Sequence, residues 1–331
     1  MPVTDASAEA LAALSGNAIF DLRHFALIAV HGDDAEDFLQ GQLTNDVGEV
    51  TATRAQPSAW CSPKGRVLTC FLVFRHDGRL LLQLPDTLLE QTLKRLRMYV
   101  LRVKATLESA NDSLARFGLV GEDAESCLSD LLGDLPEHTD DVRCFDHVTV
   151  IRMRGARPRY EIVGAHETIA PLWDACHQVA MTAGADAWEL LDIEAGIANI
   201  GPDTSDSFVP QMLNLDRIGG VSFTKGCYVG QEIVARTQNL GRIKRRMYRT
   251  HWNGAATAAI RAGDTLQSST HAASPKAQVV NAKAVPSGGF DVLAVIPIEV
   301  AASAPETGFA LDDGTRLTLE ALPYALEDET A

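Results

Sequence analysis

The sequence predicts an α+β protein with several domains. Patterns typical of helices and of strands are mixed through most of the chain, whereas after Tyr248 only short strand-like runs remain, separated by Gly and Pro. The length of 331 residues points the same way, because one domain usually holds about 100–200 residues. We therefore expect three domains, of which the first two combine helices with strands and the last is built from strands.

The first hundred residues are expected to contain a buried β-hairpin. Residues 26–30 are apolar and predict a strand, and the short pattern that ends at Gly41 predicts a helix. Residues 67–74 are apolar on both faces, and the Asp77-Gly78 pair that follows is typical of a tight turn between antiparallel strands.

The middle of the chain predicts a compact unit of the ferredoxin-like kind. The predicted elements are, in order, a strand at 117–120, a helix at 122–132, strands at 148–153 and 159–163, and a helix at 169–181. Their βαββα order is most of a ferredoxin-like fold. The punctuated strands after Tyr248 predict a small β-barrel or a β-sandwich.

Composition and charge exclude several classes of protein. A formal net charge of −15 would repel a polyanion at long range, so a general nucleic-acid-binding protein is not expected. No stretch reaches the roughly 18 consecutive apolar residues of a membrane span. The first residues resemble neither a secretory signal nor a transit peptide. We therefore expect a cytoplasmic protein without a membrane anchor.

The cysteines are scattered without a Cys-x-x-Cys pair. They are Cys61, Cys70, Cys127, Cys144, Cys176 and Cys227. Such spacing favours free thiols in a reducing compartment over a disulfide framework or a zinc ribbon. It also argues against this chain holding an iron–sulfur cluster alone. We expect no metal site.

Two short basic runs stand out in this acidic chain, one at 94–104 and the other at 242–249. Each run is most simply a solvated surface, since charged residues normally cover surfaces. Either run is also sufficient for a small anion site.

Residues 188–246 contain most of the candidate functional residues. Cys227 follows Lys225 and Gly226 and precedes a predicted helix at 228–235, so a nearby cation and the helix dipole could both favour its thiolate. A reactive thiol is therefore one hypothesis for Cys227. A half-buried cysteine used as a small hydrophobic side chain is the other.

Two further residues of this segment suit a flat ring ligand. Glu194 lies within an apolar pattern, where a carboxylate is costly unless it is paired or bonded to a ligand. Its two oxygens could accept parallel N–H bonds from a pterin edge, and an ion pair with an arginine is the alternative. Trp188 could stack on an aromatic ligand or pack in the core.

The motif KGCYVGQEIVAR, residues 225–236, resembles the signature of the folate-binding YgfZ proteins, relatives of the glycine cleavage T-protein. Its candidate site residues are Lys225, Gly226, Cys227, Gly230, Gln231, Glu232 and Arg236. Other segments also resemble that family: GDDAEDFLQGQLTNDV (32–47), CSPKGRV (61–67), DIEAGI (192–197), FVPQMLNL (208–215), GGVSF (219–223) and LPYALED (322–328). The resemblance thus extends from residue 32 almost to the C-terminus.

This resemblance implies a three-domain, T-protein-like folate-binding fold. The folate-binding domain would consist of residues 1–112 and 188–245. A ferredoxin-like domain at 113–187 would interrupt it, and a β-barrel at 246–331 would follow.

The resemblance also implies a ligand and a role. Family members are thought to use tetrahydrofolate while they support iron–sulfur enzymes, including radical enzymes that modify tRNA. Phe25, where a Trp is typical of close relatives, and Trp188 would flank the folate, and Glu194 would hold the pterin. Cys227 would supply the reactive thiol. The partners would be folate, with or without a polyglutamate tail, and iron–sulfur client enzymes.

One departure from the T-proteins argues against their enzymatic activity. T-proteins carry two adjacent acids on a strand whose counterpart resembles residues 65–70, and Thr69 and Cys70 replace both acids. A neutral hydroxyl cannot act as a carboxylate in proton transfer. We therefore expect folate binding without glycine cleavage.

Two alternatives stay open. The chain could be a folate-dependent aminomethyltransferase or demethylase whose carboxylate comes from Asp46, Asp216 or Glu232. It could instead be a scaffold that docks acidic partners through its basic runs. A polyglutamate tail held by Arg245 and Arg246 is a further hypothesis for the second run.

Overall fold

The computed structural model describes residues 5–239, 243–252, 260–266, 277–303, 309–310 and 316–326. The helices are α1 (Ala6–Ser15), α2 (Ala35–Gln40), α3 (Leu89–Arg97), α4 (Glu122–Leu132), α5 (His166–Cys176), α6 (Ala185–Glu194), α7 (Gln231–Asn239) and α8 (Ile298–Ser303). The strands up to residue 183 are β1 (Ala18–Asp21), β2 (Phe25–His31), β3 (Gln56–Cys61), β4 (Val67–His76), β5 (Arg79–Pro85), β6 (Thr106–Ser109), β7 (Ala115–Val120), β8 (Val142–Phe145), β9 (Val148–Arg152), β10 (Arg159–Gly164) and β11 (Met181–Ala183). The later strands are β12 (Arg245–Trp252), β13 (Thr265–Leu266), β14 (Ala277–Ala284), β15 (Phe290–Pro297), β16 (Phe309–Ala310) and β17 (Arg316–Glu320).

The first sheet has the antiparallel order β3-β4-β5-β2-β6. Its β2 is the strand predicted at 26–30, and α2 is the helix predicted before Gly41. The predicted hairpin is formed by β4 and β5. Asp77 and Gly78 both have positive φ angles, 47° and 77°, which is the backbone that a two-residue hairpin turn requires.

The second sheet has the order β11-β1-β7-β10-β9-β8. From β7 to β11 the elements follow the βαββαβ order of a ferredoxin-like unit, with β8 added at one edge, so the predicted order of elements is confirmed. The helix predicted at 169–181 is wrong at its end, because α5 stops at Cys176 and Met181 begins β11. The strand β1 belongs to this sheet as well, although residues 1–112 were expected in the first domain. It pairs in parallel with β11 and antiparallel with β7. Ala18, Ile19 and Phe20 are fully buried there, because strands flank β1 on both edges and an apolar cluster covers each face.

The third sheet has the antiparallel order β13-β14-β15-β12-β17-β16 and forms a half-barrel at the place where a C-terminal β-barrel was expected. Helix α6 packs against β14 and β15 of this sheet and against β1 of the second sheet. The first and second sheets share an apolar cluster that includes Leu27, Phe74, Ile151 and Val163. Phe25 of the first sheet packs in one apolar cluster with Trp188 of α6, so α6 lies where all three sheets come together.

None of the helices in the described part of the chain is both long and apolar enough to cross a membrane.

Candidate functional site

A cavity lies between the first sheet, the second sheet and α6. Its apolar walls include Phe25, Phe71, Leu84, Trp188 and Ile218. The polar side chains in its lining are Ser58, Gln83, Asp140, Arg154, Asp192 and Asn199. Its volume of about 90 Å³ is several times what one water molecule needs. An apolar cavity with a few convergent polar groups is the usual form of a small-molecule site.

Trp188 is held rigidly at this cavity. Its side chain is fully buried, and its ring meets Phe20 edge-on with centroids 5.1 Å apart. The guanidinium of Arg159 lies over the same ring, with Cζ 3.7 Å from the centroid. On β7, a Cβ at Gly118 would lie only 2.2 Å from Trp188 Cζ3, so the indole depends on a glycine there. Trp188 thus packs in the core and lines the cavity at the same time.

The structure brings together two of the predicted folate contacts and leaves out two other predicted site residues. Phe25 and Trp188 line the same cavity. Glu194 and Cys227 do not belong to its lining in the described residues. The Glu194 carboxylate lies 3.7 Å from Nη2 of Arg249, so the arrangement found is the ion pair that was the alternative to pterin binding. Burial raises the pKa of Glu194, against the opposing effect of Arg249.

A buried polar network closes the side of the cavity next to the second sheet. Gln83 of β5 donates from Nε2 to Oε2 of Glu161 of β10, at 2.9 Å. Glu161 is fully buried, and burial raises its pKa to about 7 although Arg116 and Arg159 oppose the rise. One acceptor oxygen of each residue, Oε1 of Gln83 and Oε1 of Glu161, has no hydrogen-bond partner among the described residues.

Asp192 and Arg159 form a second buried pair beside Trp188. Arg159 Nη2 lies 2.7 Å from Asp192 Oδ1 and donates to the carbonyl of Trp188 at 3.2 Å. Asn199 donates to the other Asp192 oxygen at 2.8 Å. Removing one partner of such a pair leaves a buried charge uncompensated, which is strongly destabilising. The pair therefore fixes both the end of α6 and the position of the indole.

Asp140 and Arg154 form a third pair in the lining. Arg154 Nη2 donates to Asp140 Oδ2 and also to the carbonyl of Ile218, at 2.9 Å in the second case. Burial raises the pKa of Asp140 against the opposing effect of Arg154. The sequence analysis missed these two residues and also Gln83 and Glu161. The one usable signal was an acid, Glu161, inside the apolar strand predicted at 159–163.

The Lys225-Gly226-Cys227 motif lies in a loop that is tied to the end of α2. We call residues 219–230 the cysteine loop. Lys225 is mostly buried, and its Nζ donates to the carbonyls of Gln40, Leu43 and Asn45 at 2.7, 2.8 and 2.8 Å. Burial lowers the pKa of Lys225 to about 8. The ammonium therefore binds backbone oxygens, and the predicted role of Lys225 as a cation beside the Cys227 thiolate is not supported.

Other contacts hold the cysteine loop against the first sheet. Thr44 Oγ1 donates to the carbonyl of Gly220 at 2.7 Å, and Asn45 Nδ2 donates to that of Gly219 at 2.7 Å. At the far end, a Cβ on Gly230 would lie 2.5 Å from the carbonyl oxygen of Ser62, and its φ is +83°. Only glycine fits this close approach without strain.

Cys227 itself is exposed, and all six cysteines are free. Helix α7 begins at Gln231, four residues after Cys227, so the predicted start of this helix at residue 228 is wrong and the thiol is not at its N-terminus. Gln231 Nε2 lies 3.4 Å from the carbonyl of Gly226. Glu232 and Arg236 are exposed on α7. The motif thus presents its thiol to solvent from a firmly attached loop.

The carboxylates considered for a transferase do not belong to the described cavity lining. Both oxygens of Asp216 bind Arg246, at 2.6 and 2.8 Å. Asp46 accepts from Gln40 Nε2 and from the Gly48 amide, while Glu232 is exposed on α7. Cys70 does line the cavity.

The second basic run offers less free charge than the sequence suggests. Arg246 is buried in its ion pair with Asp216, so it is not available to a polyglutamate tail. Arg242 lies outside the described residues. Lys244 is exposed.

Comparison with known proteins gives one consistent result. Residues 3–224 match the family model described as GCVT N-terminal domain. A protein of Colwellia psychrerythraea named tRNA-modifying protein YgfZ is 35% identical over 240 residues, which are 72% of each chain. A protein of the same name from Klebsiella pneumoniae is 32% identical over 312 residues, 94% of each chain. The crystal structure of glycine cleavage system aminomethyltransferase T from Bartonella henselae superposes with a TM-score of 0.75 at 18% identity, covering 98% of this chain and 91% of that one. The last match shows the fold alone and confirms the predicted T-protein-like architecture.

Proposed function

The chain belongs to the YgfZ family of GCVT-domain proteins, and we propose that it binds tetrahydrofolate and supports the assembly or repair of iron–sulfur clusters in other enzymes. The relatives are named tRNA-modifying proteins, which supports the view that the client enzymes include some that modify tRNA. We propose a cytoplasmic location for this role. The folate would have its place in the cavity, and Cys227 would act at the surface.

The observation that carries the folate half is the composition of the cavity. Phe25 and Trp188 line it together, and aromatic faces are what a flat heteroring stacks on. Gln83 adds a buried oxygen without a partner in the described residues, which suits a ligand with N–H groups. Phe25, Trp188 and Gln83 would therefore hold the pteridine ring. Tetrahydrofolate would supply the capacity to carry a one-carbon unit.

Binding of tetrahydrofolate tests this half directly. We expect calorimetry to detect binding to the folded protein, and Phe25→Leu to weaken it by about threefold to tenfold, because an aromatic contact contributes about 0.5–1.5 kcal/mol. Phe38→Leu is the matched control, since Phe38 and Phe25 are equally buried, both with 6% exposure, and Phe38 lies on α2 away from the cavity lining. No binding heat with the wild-type protein would contradict the proposal.

The iron–sulfur half depends on the exposed thiol of Cys227. Replacing Cys227 by Ala should lower the activity of iron–sulfur enzymes, and the level of modified tRNA, in cells that depend on this chain. Cys144→Ala is the control, because Cys144 is also exposed and lies on the second sheet, outside the cysteine loop. Tetrahydrofolate affinity should be the same in both variants. Equal enzyme activities in the two strains would reject a role for the thiol.

A further inference from the structure

The hydrogen bond from Gln83 Nε2 to Glu161 fixes the orientation of the amide, whose oxygen Oε1 has no partner in the described residues. Gln83 is 5% exposed, lines the cavity, and uses its amide nitrogen to bind Glu161. The amide oxygen and nitrogen leave their shared carbon in different directions, so the oxygen does not face the Glu161 carboxylate that the nitrogen binds. An acceptor buried without a partner is costly, which is why such groups usually meet a ligand or a water molecule.

Glu161 determines which atom of the amide is available. An ionised carboxylate can only accept hydrogen bonds, so it holds the NH₂ group of Gln83 and excludes the reversed amide. A protonated carboxyl can donate, and it would permit the amide to turn and present NH₂ instead. The charged groups around Glu161 are Arg116 on β7, Arg159 on its own strand β10 and Asp192 on α6.

We propose that the carbonyl oxygen of Gln83 is the specificity-determining acceptor for an N–H donor on the ring of the ligand, and that Glu161 is the positioning residue that keeps this oxygen turned toward the cavity. This inference rests on the proposed function, since it names the contact by which a tetrahydrofolate ring is selected. A ring that offers an acceptor at the same place would face the lone pairs of Gln83 and be rejected.

The first test removes the acceptor. Gln83→Met keeps the length of the side chain and deletes both polar atoms, and we expect it to weaken tetrahydrofolate binding about tenfold or more, because the ring N–H would lose its partner in a buried site. Gln56→Met is the matched control. Gln56 is also buried, at 7% exposure, but its amide binds the carbonyl of Asp46 and the residue is not in the described cavity lining.

The second test addresses Glu161 through pH. Burial raises the pKa of Glu161 to about 7, so wild-type affinity for tetrahydrofolate should fall several-fold as the pH is lowered from about 8 to about 6, and binding near pH 7 should release protons. The Glu161→Gln variant has no carboxyl to titrate and should lose this part of the pH dependence. His24, whose charge interacts with Asp192 and Arg116, has its pKa lowered to about 4 by burial, which is below this pH range.

The outcomes separate the inference from the proposed function. Unchanged affinity in folded Gln83→Met, with normal binding by the wild-type protein, would overturn the inference and leave the proposed function standing. Absence of binding by the wild-type protein would reject the proposed function itself. If Gln83→Met does not fold, the Glu161→Gln comparison decides: parallel pH profiles of wild type and variant would overturn the inference, and a profile that flattens only in the variant would support it.

Discussion

The cavity and the cysteine loop differ in which of their polar groups are bound by the protein and which are left unbound. In the cavity, charged groups such as Asp140 and Arg154 bind each other, and the Gln83 oxygen is among the buried polar atoms that have no partner in the described part of the chain. In the cysteine loop, the ammonium of Lys225 is fully used by three backbone carbonyls, and the thiol of Cys227 is left exposed. The cavity therefore keeps an unpaired acceptor inside the protein, and the loop keeps a thiol exposed at the surface.

The difference implies that substitutions in the cysteine loop and substitutions in the cavity have separate effects. Lys225 of the cysteine loop is anchored to residues 40–45, whereas Gln83 and Trp188 of the cavity are held by Glu161 and Arg159 of the second sheet, so the lysine and these two lining residues have different supports. A variant that loosens one should leave the other intact. Two substitutions probe that separation.

The larger effect is expected from Lys225→Met. The change leaves the carbonyls of Gln40, Leu43 and Asn45 without their donor, and we expect it to lower the free energy of unfolding by about 3 kcal/mol. Chemical denaturation measures this loss. Tetrahydrofolate affinity under folding conditions should stay unchanged, because Lys225 is not part of the cavity lining in the described residues.

Lys94→Met is the control for this prediction, since Lys94 lies on the exposed face of α3. It should change the free energy of unfolding by less than about 0.5 kcal/mol. Equal stability of the two variants would mean that the ammonium of Lys225 does not hold the loop. A large loss of folate affinity in Lys225→Met alone would show that the two regions are coupled.

The sequence predicted the local parts of this molecule well. The Asp77-Gly78 turn, the βαββα order and the C-terminal strands depend on patterns within short segments, and the structure confirms them. The placement of Phe25 and Trp188 at one cavity was predicted through the family resemblance. The strand β1 escaped assignment, because its four residues carry no sign of which sheet they join.

What the sequence could not give are contacts between distant residues. Gln83 and Glu161 are 78 positions apart on different sheets, and the carbonyls that bind Lys225 lie at least 180 positions before it. A sequence does not reveal which backbone carbonyls lie close to a side chain. Lys225 was therefore expected to act as a cation beside the Cys227 thiolate, its neighbour in the sequence. The pairing of Glu194 with Arg249 was open for the same reason.

Gly118→Ala is expected to lower the free energy of unfolding less than Lys225→Met does. Unlike Lys225→Met, it should also lower the affinity for tetrahydrofolate. The new Cβ would lie 2.2 Å from Trp188 Cζ3, and the buried indole would have to move toward the cavity. We expect a loss of about 2 kcal/mol in the free energy of unfolding, and a fall in tetrahydrofolate affinity of at least about tenfold, because overpacking displaces rigid neighbours. Gly201→Ala is the control, since nothing lies within 4 Å of a Cβ at Gly201. Thermal unfolding and calorimetry on both variants decide the point. If Gly118→Ala binds folate as tightly as Gly201→Ala, the position of the indole does not matter to the ligand, and Trp188 serves the core alone.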